Sequence, residues 1–561
     1  MSTSTHRYDA IVVGTGISGG WAAKELCERG LKTLVLERGP NVRHVEDYKT
    51  AEKAPWELPY GGELTRADKA RQPVQSRADW IVDQSTKHWF VDDTQNPYVE
   101  EKPFNWFRGY QVGGRSLLWA RQCYRWSDLD FDANAKDGFG VDWPIRYRDI
   151  APWYDHVEDF IGVSGQAEGL AHWPDGKYLP PMELSCLEQS IRDKLKATYP
   201  DRVLTIGRVA NLTRPHRGRG QCMSRDLCAR GCPYGAYFSS NSSTLPAAEQ
   251  TGNMTLLPNS LVLSLIYDDK LGKTTGVRVL DTTTKQASEY FARVIFLNAS
   301  TLCTTSILLN STSRRFPNGF GNDSGEVGHN LMDHHFATAG ADSDEFADRY
   351  HRGQRPVGIC IPRFRNVNEK RKDYVRGFYY SGGARRRGWW RTFGEQGLIG
   401  APLKQALSQP GSWRMRLQAF GECLPYHHNK VSLSRDKKDV WGQPQLSISC
   451  EFGENEKRMR EDMKAAAVEM LEAVGLKNAQ GFGEGSTPGG IVHEMGTARM
   501  GRDPKTSVLN GHNQVHAAKN VFVTDGSCMA SSACQNPSLT YMALTARAAA
   551  FAVAELGQGR L

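Results

Sequence analysis

A glycine-rich turn near the N-terminus places the strongest constraint on the fold. Gly14, Gly16 and Gly19 form the pattern G-x-G-x-x-G between an apolar stretch typical of a buried strand, 8–13, and a stretch typical of a helix, 21–29. In such a turn the first glycine permits a tight bend, the second lets the backbone approach a pyrophosphate, and the third lets the helix pack closely on the strand. The free N–H groups at the start of the helix then favour an anion. The sequence therefore predicts a dinucleotide-binding α/β fold.

An acidic residue and a second glycine loop extend this prediction to the cofactor. A second predicted strand, 32–36, ends at Glu37, where a carboxylate can accept hydrogen bonds from the adenosine ribose. Gly113, Gly114 and Ser116 belong to a later loop that suits contact with a pyrophosphate or an isoalloxazine ring. The first motif alone does not choose between NAD and FAD. The second loop favours FAD, although a simple surface turn is its alternative.

Composition excludes several classes of protein. The 561 residues are 39% hydrophobic and carry a net charge of +8, with basic residues scattered along the chain, so we expect a globular protein that does not bind nucleic acid. We expect no membrane span, because no run approaches the roughly 18–20 apolar residues that a span needs. The first residues contain no hydrophobic region typical of a signal peptide, so the 12 cysteines are expected to be reduced thiols.

Several motifs in chain order carry a resemblance to a known family. The stretches concerned are 297–306, 327–334, 492–497 and 532–540. Together with the opening turn they resemble the glucose–methanol–choline (GMC) flavin oxidoreductases. The resemblance implies a Rossmann-type FAD-binding domain and a discontinuous substrate domain built on an antiparallel sheet. It also implies that a histidine, and a second histidine or an asparagine, face the flavin.

The chemistry explains why these residue types are needed. Oxidising an alcohol removes a hydroxyl proton and passes a hydride to flavin N5, so a base must lie within hydrogen-bond reach of the hydroxyl. His493 suits that role, and Asn536 would hold the same oxygen. His334 competes for the role of base, but we expect it to pack inside the flavin domain. Asp525 resembles the family's acidic residue near the ribityl and pyrophosphate groups, and Val262 is placed among the cofactor contacts.

Interruptions in the nucleotide-type segments predict the domain organisation. Alternating patterns at 430–434 and 445–449 suit an antiparallel sheet that roofs the flavin. Gln418 and Glu422, before this sheet, are candidate partners for sugar hydroxyls, or else solvated strand ends. The pair Trp389 and Trp390 suits stacking on a sugar ring, or a small apolar core. We assign the FAD domain to 1–45, 100–170, 222–335 and 490–561, and the substrate domain to 46–99, 171–221 and 336–489.

Three cysteines lie close together far from the nucleotide motif. Cys222, Cys228 and Cys232 have the spacing C-x5-C-x3-C. They could bind zinc, bind a cluster, or remain free thiols, and zinc normally needs a fourth ligand that this segment does not supply. The segment resembles the one that holds a three-iron, four-sulfur cluster in bacterial FAD-dependent sugar dehydrogenases. That resemblance implies a cytochrome c acceptor and a small partner subunit that carries the export signal to the periplasm; a cytoplasmic location is the alternative.

Two further segments bear on cofactor attachment and substrate. Residues 112–119 resemble the segment of pyranose oxidases in which a histidine bonds covalently to FAD, but Leu118 occupies that position, so we expect non-covalent FAD. Residues 119–126 and 142–145 look most like glucoside 3-dehydrogenases, which oxidise the C3 hydroxyl of glucosides and disaccharides. Three alternatives remain open: a dehydrogenase acting at C1 or C2 of glucose or gluconate, an oxidase that uses oxygen, and a flavin-binding subunit without substrate chemistry.

Overall fold

The computed structural model describes residues 7–349, 355–388, 397–483 and 485–561. In chain order, its strands are β1 (Arg7–Val13), β2 (Thr33–Leu36), β3 (Val99–Glu100), β4 (Thr205–Ile206), β5 (Met254–Leu257), β6 (Ser260–Asp268), β7 (Lys273–Asp281), β8 (Ala287–Leu297), β9 (His335–Ser343), β10 (Ile359–Ile361), β11 (Phe378–Arg386), β12 (Trp413–Gly421), β13 (Lys430–Lys438), β14 (Pro444–Ser449), β15 (Lys477–Phe482), β16 (Gln514–Val515) and β17 (Ala518–Val523). The helices are α1 (Ile17–Glu28), α2 (Arg66–Arg71), α3 (Asp128–Phe131), α4 (Ala133–Asp137), α5 (Tyr147–Ile161), α6 (Cys186–Thr198), α7 (Thr244–Gln250), α8 (Thr301–Asn310), α9 (Gly400–Ser408), α10 (Glu454–Ala473) and α11 (Ser538–Gly557).

The largest sheet is built around parallel pairs. Its order is β16-β17-β8-β1-β2-β5, with β6 and β7 joined beside β8, and β1 runs parallel to both β2 and β8. Residues 10–13 and 294–297 are buried throughout, as expected for strands covered on both faces. The carboxyl ends of these parallel strands meet at one edge, where the turn after β1 and Glu37 after β2 lie together. All strands of this sheet fall inside the ranges predicted for the FAD domain, whose boundaries stay a prediction.

Helix α11 is long and apolar enough to pass a simple test for a membrane span, with a mean hydropathy of 1.2. It nevertheless lies against α1 and α5, and 61% of its apolar window is buried. It is therefore packed as a central helix of the core. Among the described residues no other helix passes the same test.

A second, antiparallel sheet stands opposite the first. Its order is β15-β9-β12-β11-β10-β4. Along β12, Met415, Leu417 and Ala419 are buried in the same apolar cluster as Met459 and Met463 of α10. The alternate residues of β12 therefore face away from α10, toward the interior cavity. An α/β flavin domain joined to an antiparallel substrate sheet is the predicted fold class, and it is confirmed.

The strands predicted to roof the flavin are placed differently. Residues 430–438 and 444–449 pair antiparallel as predicted, but they join β3 in a separate three-stranded sheet. Val431, Leu446 and Ile448 pack into a small apolar cluster with Leu302 and Leu331, and this packing holds the pair away from the larger sheet. The end of β14 still contributes to the wall of the interior cavity, through Pro444, Gln445 and Leu446, while β9, β11 and β12 contribute Phe336, Tyr379, Ser381, Arg416, Gln418 and Phe420. The tryptophan pair at 389–390 lies outside the described residues.

Candidate active site

A cavity of ≈ 940 Å³ lies between the carboxyl edge of the parallel sheet and the open face of the antiparallel sheet. This volume is near the upper end for pockets that hold small molecules. The predicted residues that line it are Gly14, Gly16, Glu37, Gly114, Ser116, Val262, Gln418, His493, Asp525 and Asn536. One cavity therefore brings together the predicted nucleotide turn and the predicted catalytic pair.

The glycine turn after β1 divides into packing positions and an open position. A side chain at Gly14, where φ is +95°, or at Gly19 would collide with backbone atoms. A Cβ at Gly16 would meet nothing within 4 Å on a surface that faces the cavity, where Gly114 of the second loop stands close by. Gly14 and Gly19 therefore close the turn, while Gly16 leaves room for a ligand, as the sequence predicts.

Glu37 ties the two loops of the nucleotide end together through Thr15. Its carboxylate accepts the Thr15 N–H at 3.2 Å, the Thr15 hydroxyl at 2.5 Å and the Gly39 N–H at 3.1 Å. The Thr15 oxygen in turn accepts the N–H of Gly113 at 2.9 Å. Ser116 donates its hydroxyl to the Gly113 carbonyl at 2.6 Å. Burial raises the pKa of Glu37. Its two carboxylate oxygens can accept further hydrogen bonds besides those from these three donors.

Polar atoms without protein partners show that the cavity suits a polar ligand. The Tyr541 hydroxyl and the Asn298 side-chain oxygen are buried, line the cavity, and make no hydrogen bond within the described part of the chain. Asp525 is buried and accepts the Thr304 hydroxyl at 2.5 Å, and burial raises its pKa. Leu118 also lines the cavity and offers no nucleophilic atom for a covalent link. These residues fit a non-covalently bound FAD.

The catalytic end of the cavity holds His493 and Asn536 side by side. His493 Nε2 lies 3.3 Å from Asn536 Nδ2. The Asn536 oxygen accepts the Tyr379 hydroxyl at 2.5 Å, which fixes the amide with its NH₂ group toward the histidine. Tyr379 also lines the cavity. Sequence reasoning found His493 and Asn536 but missed Tyr379, because only the folded sheet brings β11 to the asparagine.

Hydrogen bonds behind His493 decide which of its nitrogens is basic. His334 Nε2 lies 2.9 Å from the Ala533 carbonyl oxygen and 3.2 Å from that of Ser532, so this nitrogen carries a proton. Burial lowers the pKa of His334 to about 4, so the ring is neutral and its Nδ1 accepts. That Nδ1 lies 2.8 Å from His493 Nδ1, which must therefore donate. The lone pair of neutral His493 then sits on Nε2, beside Asn536 in the cavity.

Burial keeps His493 in its neutral form, and a backbone hydrogen bond holds its segment in place. Burial, together with His334 and Arg115, lowers its pKa well below the ordinary range. Asp333 accepts the backbone N–H groups of Ile491 at 3.2 Å and His493 at 3.0 Å. Burial, and then the charge of Glu494, raises the pKa of Asp333 to about 7. His334, predicted to pack inside the flavin domain, is buried as expected and also contacts the base directly.

Of the two predicted substrate residues, Gln418 lines the cavity and Glu422 does not. Gln418 lies in the middle of β12 and lines the cavity, although we expected it ahead of the sheet. The prediction for Glu422 is wrong: its carboxylate is fully buried, bonds to Arg376 at 2.6 Å, and does not line the cavity. A buried carboxylate keeps its charge by such pairing, which sequence spacing cannot reveal.

The three loop cysteines do not form a ready metal site. Cys222, Cys228 and Cys232 are half-buried, and Cys228–Arg230 form a single helical turn. Burial raises the pKa of Cys222 and of Cys228, and the neighbouring thiols contribute, which places the three thiols near one another. Within the ranges the structure describes, however, no group of three His, Cys, Asp or Glu side chains is arranged to hold a metal. The described part of the structure therefore contains no assembled metal site at these cysteines.

A cavity with a nucleotide-type turn at one end and a neutral histidine beside a fixed amide at the other has the groups that the oxidation of a CH–OH group by a flavin requires. Comparison with known sequences agrees with this class. Residues 8–336 match the N-terminal domain and residues 425–545 the C-terminal domain of the GMC oxidoreductases, and the chain belongs to that family. It is an FAD-dependent oxidoreductase of the sugar and alcohol dehydrogenase type.

Similar proteins span the whole chain. The fructose dehydrogenase large subunit of Gluconobacter japonicus is 26% identical over 578 residues, covering 100% of both chains. The 2-methyl-1,2-propanediol dehydrogenase of Mycolicibacterium austroafricanum is 27% identical, covering 98% of this chain and 95% of its own. Among solved structures, an Aspergillus oryzae formate oxidase has a TM-score of 0.62 at 15% identity, covering 100% of both chains. Pyridoxine 4-oxidase of Mesorbium loti has a TM-score of 0.60 at 17% identity, covering 97% and 98%.

Proposed function

We propose that this protein is a dehydrogenase that oxidises a ring hydroxyl of a sugar. The observation that carries the proposal is the neutral His493, whose Nε2 lone pair stands beside the Asn536 amide in the cavity. A base whose partner has already fixed its tautomer needs no rearrangement before it accepts a proton. Relatives named as fructose dehydrogenase and gluconate 2-dehydrogenase subunits support a sugar as the substrate.

Each of four residues has a separate role in the proposed reaction. His493 Nε2 takes the hydroxyl proton, and the Asn536 NH₂ group donates to the same oxygen and stabilises its developing charge. Tyr379 and His334 hold the amide and the ring in these orientations. FAD, when bound along the glycine loops, supplies the acceptor for the hydride. The aromatic side chains at the end of the cavity exclude water from the reacting carbon.

The preferred position of oxidation is C3 of a glucoside or disaccharide, giving a 3-keto sugar. Residues 119–126 carry the resemblance behind this choice, and Arg121 and Gln122 of that segment line the cavity. Oxidation at C1 or C2 of glucose or gluconate is the alternative. Product analysis of the oxidised sugar by NMR distinguishes the three positions.

The electron acceptor is the second part of the proposal. Two relatives are named as a large subunit and a flavoprotein of dehydrogenases, which supports a small partner subunit here. We propose a one-electron acceptor such as cytochrome c, and a periplasmic location reached with the partner. An iron–sulfur cluster at Cys222, Cys228 and Cys232 is proposed as well; the nearness of the thiols supports it, while their present arrangement does not. The competing oxidase would reduce oxygen to peroxide.

The base assignment is tested by His493→Ala. We expect the rate of dye reduction by sugar to fall about 10²- to 10⁴-fold, the usual contribution of a positioned base, while FAD stays bound. His427→Ala is the matched control, because His427 is 62% exposed and does not line the cavity. Stopped-flow bleaching of the flavin measures the step directly. Unchanged turnover in the His493 variant would refute the assignment.

A further inference from the structure

The cavity face of the antiparallel sheet is arranged in rows of different chemistry. A row here means three residues that lie side by side across the sheet, one each from β9, β12 and β11, as the pairing of these strands places them. The row beside Asn536 is aromatic, and the next row presents the Gln418 amide and the Ser381 hydroxyl to the cavity. These two rows are Phe336, Phe420 and Tyr379, then Thr338, Gln418 and Ser381.

The third row contains a single side chain, and it is a cation. Arg416 lines the cavity and is exposed, and its partners across the strands are Gly340 and Gly383. Within the part of the chain that the structure describes, its guanidinium makes no ion pair and no hydrogen bond. The next arginine on the same face, Arg414, is paired with Asp342 at 3.3 Å. Among the described residues, Arg416 therefore forms no salt bridge at the cavity wall, whereas Arg414 does. The Glu188 carboxylate, which lies beside Gly383, is paired with Arg355.

The spacing of the rows sets the size of a ligand that reaches both ends. Phe420 and Arg416 are four residues apart in one strand, which corresponds to about 13 Å. A single pyranose ring is shorter than this span. A sugar whose reactive hydroxyl lies at His493 would therefore extend toward the guanidinium through a second ring or an aglycone.

We propose that Arg416 binds a carboxylate on the distal part of the substrate, so that the preferred substrates are acidic glycosides or acidic disaccharides. The inference rests on the proposed oxidation of a sugar hydroxyl at His493. Guanidinium groups bind carboxylates through two parallel hydrogen bonds, which gives orientation as well as affinity. The polar row that contains Gln418 would bind the hydroxyls of the reacting ring between the two ends.

A pair of matched substrates tests this site. Phenyl glucoside and 4-carboxyphenyl glucoside, each as both anomers, present the same ring with and without the distal charge. For Arg416→Gln we expect KM to rise about 10- to 100-fold for the carboxylated compound, the usual effect of losing a charged hydrogen bond, with kcat nearly unchanged. KM for the neutral compound should hardly change. Arg414→Gln, on the same strand and face, is the control and should leave the ratio of the two KM values unaltered.

The outcomes separate this inference from the proposed function. If Arg416→Gln leaves KM for the carboxylated glucoside unchanged, or raises KM for both glucosides equally, Arg416 does not bind the distal carboxylate. If the wild-type enzyme oxidises neither compound, the proposed function fails for glucosides. In that case, the role of Arg416 is decided by titrating the wild-type protein and Arg416→Gln with each glucoside and monitoring binding by the absorbance of the flavin. A preference for the carboxylated glucoside that Arg416→Gln abolishes supports the site, and equal binding of both compounds overturns it.

Discussion

At the scale of single residues, the two histidines joined through their Nδ1 atoms determine where a proton can go. The carbonyl oxygens of residues 532 and 533 fix the tautomer of His334, and His334 in turn fixes that of His493. The basic nitrogen of the site is thus chosen by two backbone groups that never contact the substrate. His334 is a positioning residue.

The role of His334 predicts different results for two substitutions. His334→Leu removes the acceptor for the His493 Nδ1 proton, so we expect kcat to fall about 10-fold or more, in line with the loss of one buried hydrogen bond. His334→Asn keeps an acceptor near the position of Nδ1 and should restore much of that rate. KM and bound FAD should change little in either variant. Steady-state kinetics that show equal losses in both variants would contradict the positioning role.

The sequence predicted only some of these residues. His493, Asn536 and Asp525 lie within contiguous motifs, so the pattern identified them. Tyr379 and Arg416 lie on strands whose partners are distant in the chain, and no local pattern reveals which residue a strand places opposite a given site. The pairing of Glu422 with Arg376 was hidden for the same reason.

At the scale of elements, the turn between β1 and α1 assigns different tasks to its glycines. Gly19 packs against the backbone of Gly14, whereas the space beyond Gly16 is open toward the cavity. The packing of the turn and the predicted contact with a pyrophosphate would therefore depend on different glycines within six residues. The close packing at Gly14 and Gly19 was predictable from the sequence, since the motif, strand and helix are adjacent, and the pyrophosphate contact of Gly16 stays a prediction.

Two alanine substitutions distinguish these tasks. Gly19→Ala forces a Cβ onto a backbone carbonyl, so we expect a loss of about 1–3 kcal/mol in stability even in the FAD-free protein. Gly16→Ala has room for its Cβ and should fold normally, but its methyl group enters the space predicted for the pyrophosphate and should weaken FAD binding. Thermal unfolding of the FAD-free proteins and FAD titration measure the two effects. A weaker effect of Gly16→Ala than of Gly19→Ala on FAD affinity, with both proteins folded, would reverse the assignment.

The misplaced pair of strands shows the limit of element prediction. The alternating pattern of 430–434 and 445–449 correctly predicted two antiparallel strands. It could not say which sheet they join, because that depends on the apolar cluster formed with residues of α8 and the neighbouring loops. Periodicity identifies a face that must be buried but not the surface that buries it.

At the scale of the whole molecule, the position of the cysteine loop relative to the cavity bears on the proposed route by which electrons leave. The Coulombic influence of Arg121, which lines the cavity, lowers the pKa of Cys228 against the larger effect of burial. Arg121 also lies 5.3 Å from the centre of the Tyr237 ring, and Tyr237 follows Cys232 closely in the chain, so this part of the chain adjoins the cavity wall. An acceptor at this loop would lie close to the flavin site, whichever group carries the electrons.

Iron content tests the proposed cluster. We expect about three iron atoms per chain in anaerobically purified protein, with an EPR signal that each of Cys222→Ser, Cys228→Ser and Cys232→Ser removes. Cys27→Ser, at a buried cysteine on α1, is the control and should leave the iron unchanged. Protein that contains FAD but no iron, and that forms peroxide with oxygen, would favour the oxidase.

The position of β17 and α11 has a consequence for how the chain is made. Strand β17 covers one edge of β8, and α11 packs on α1, yet both are synthesised some 200 residues or more after the strand and helix they complete. Until the ribosome has released them, the first half of the nucleotide fold exposes apolar surface and lacks Asn536. We therefore expect stable flavin binding only once the chain is complete, and an unfinished chain with this exposed apolar surface to be prone to aggregation.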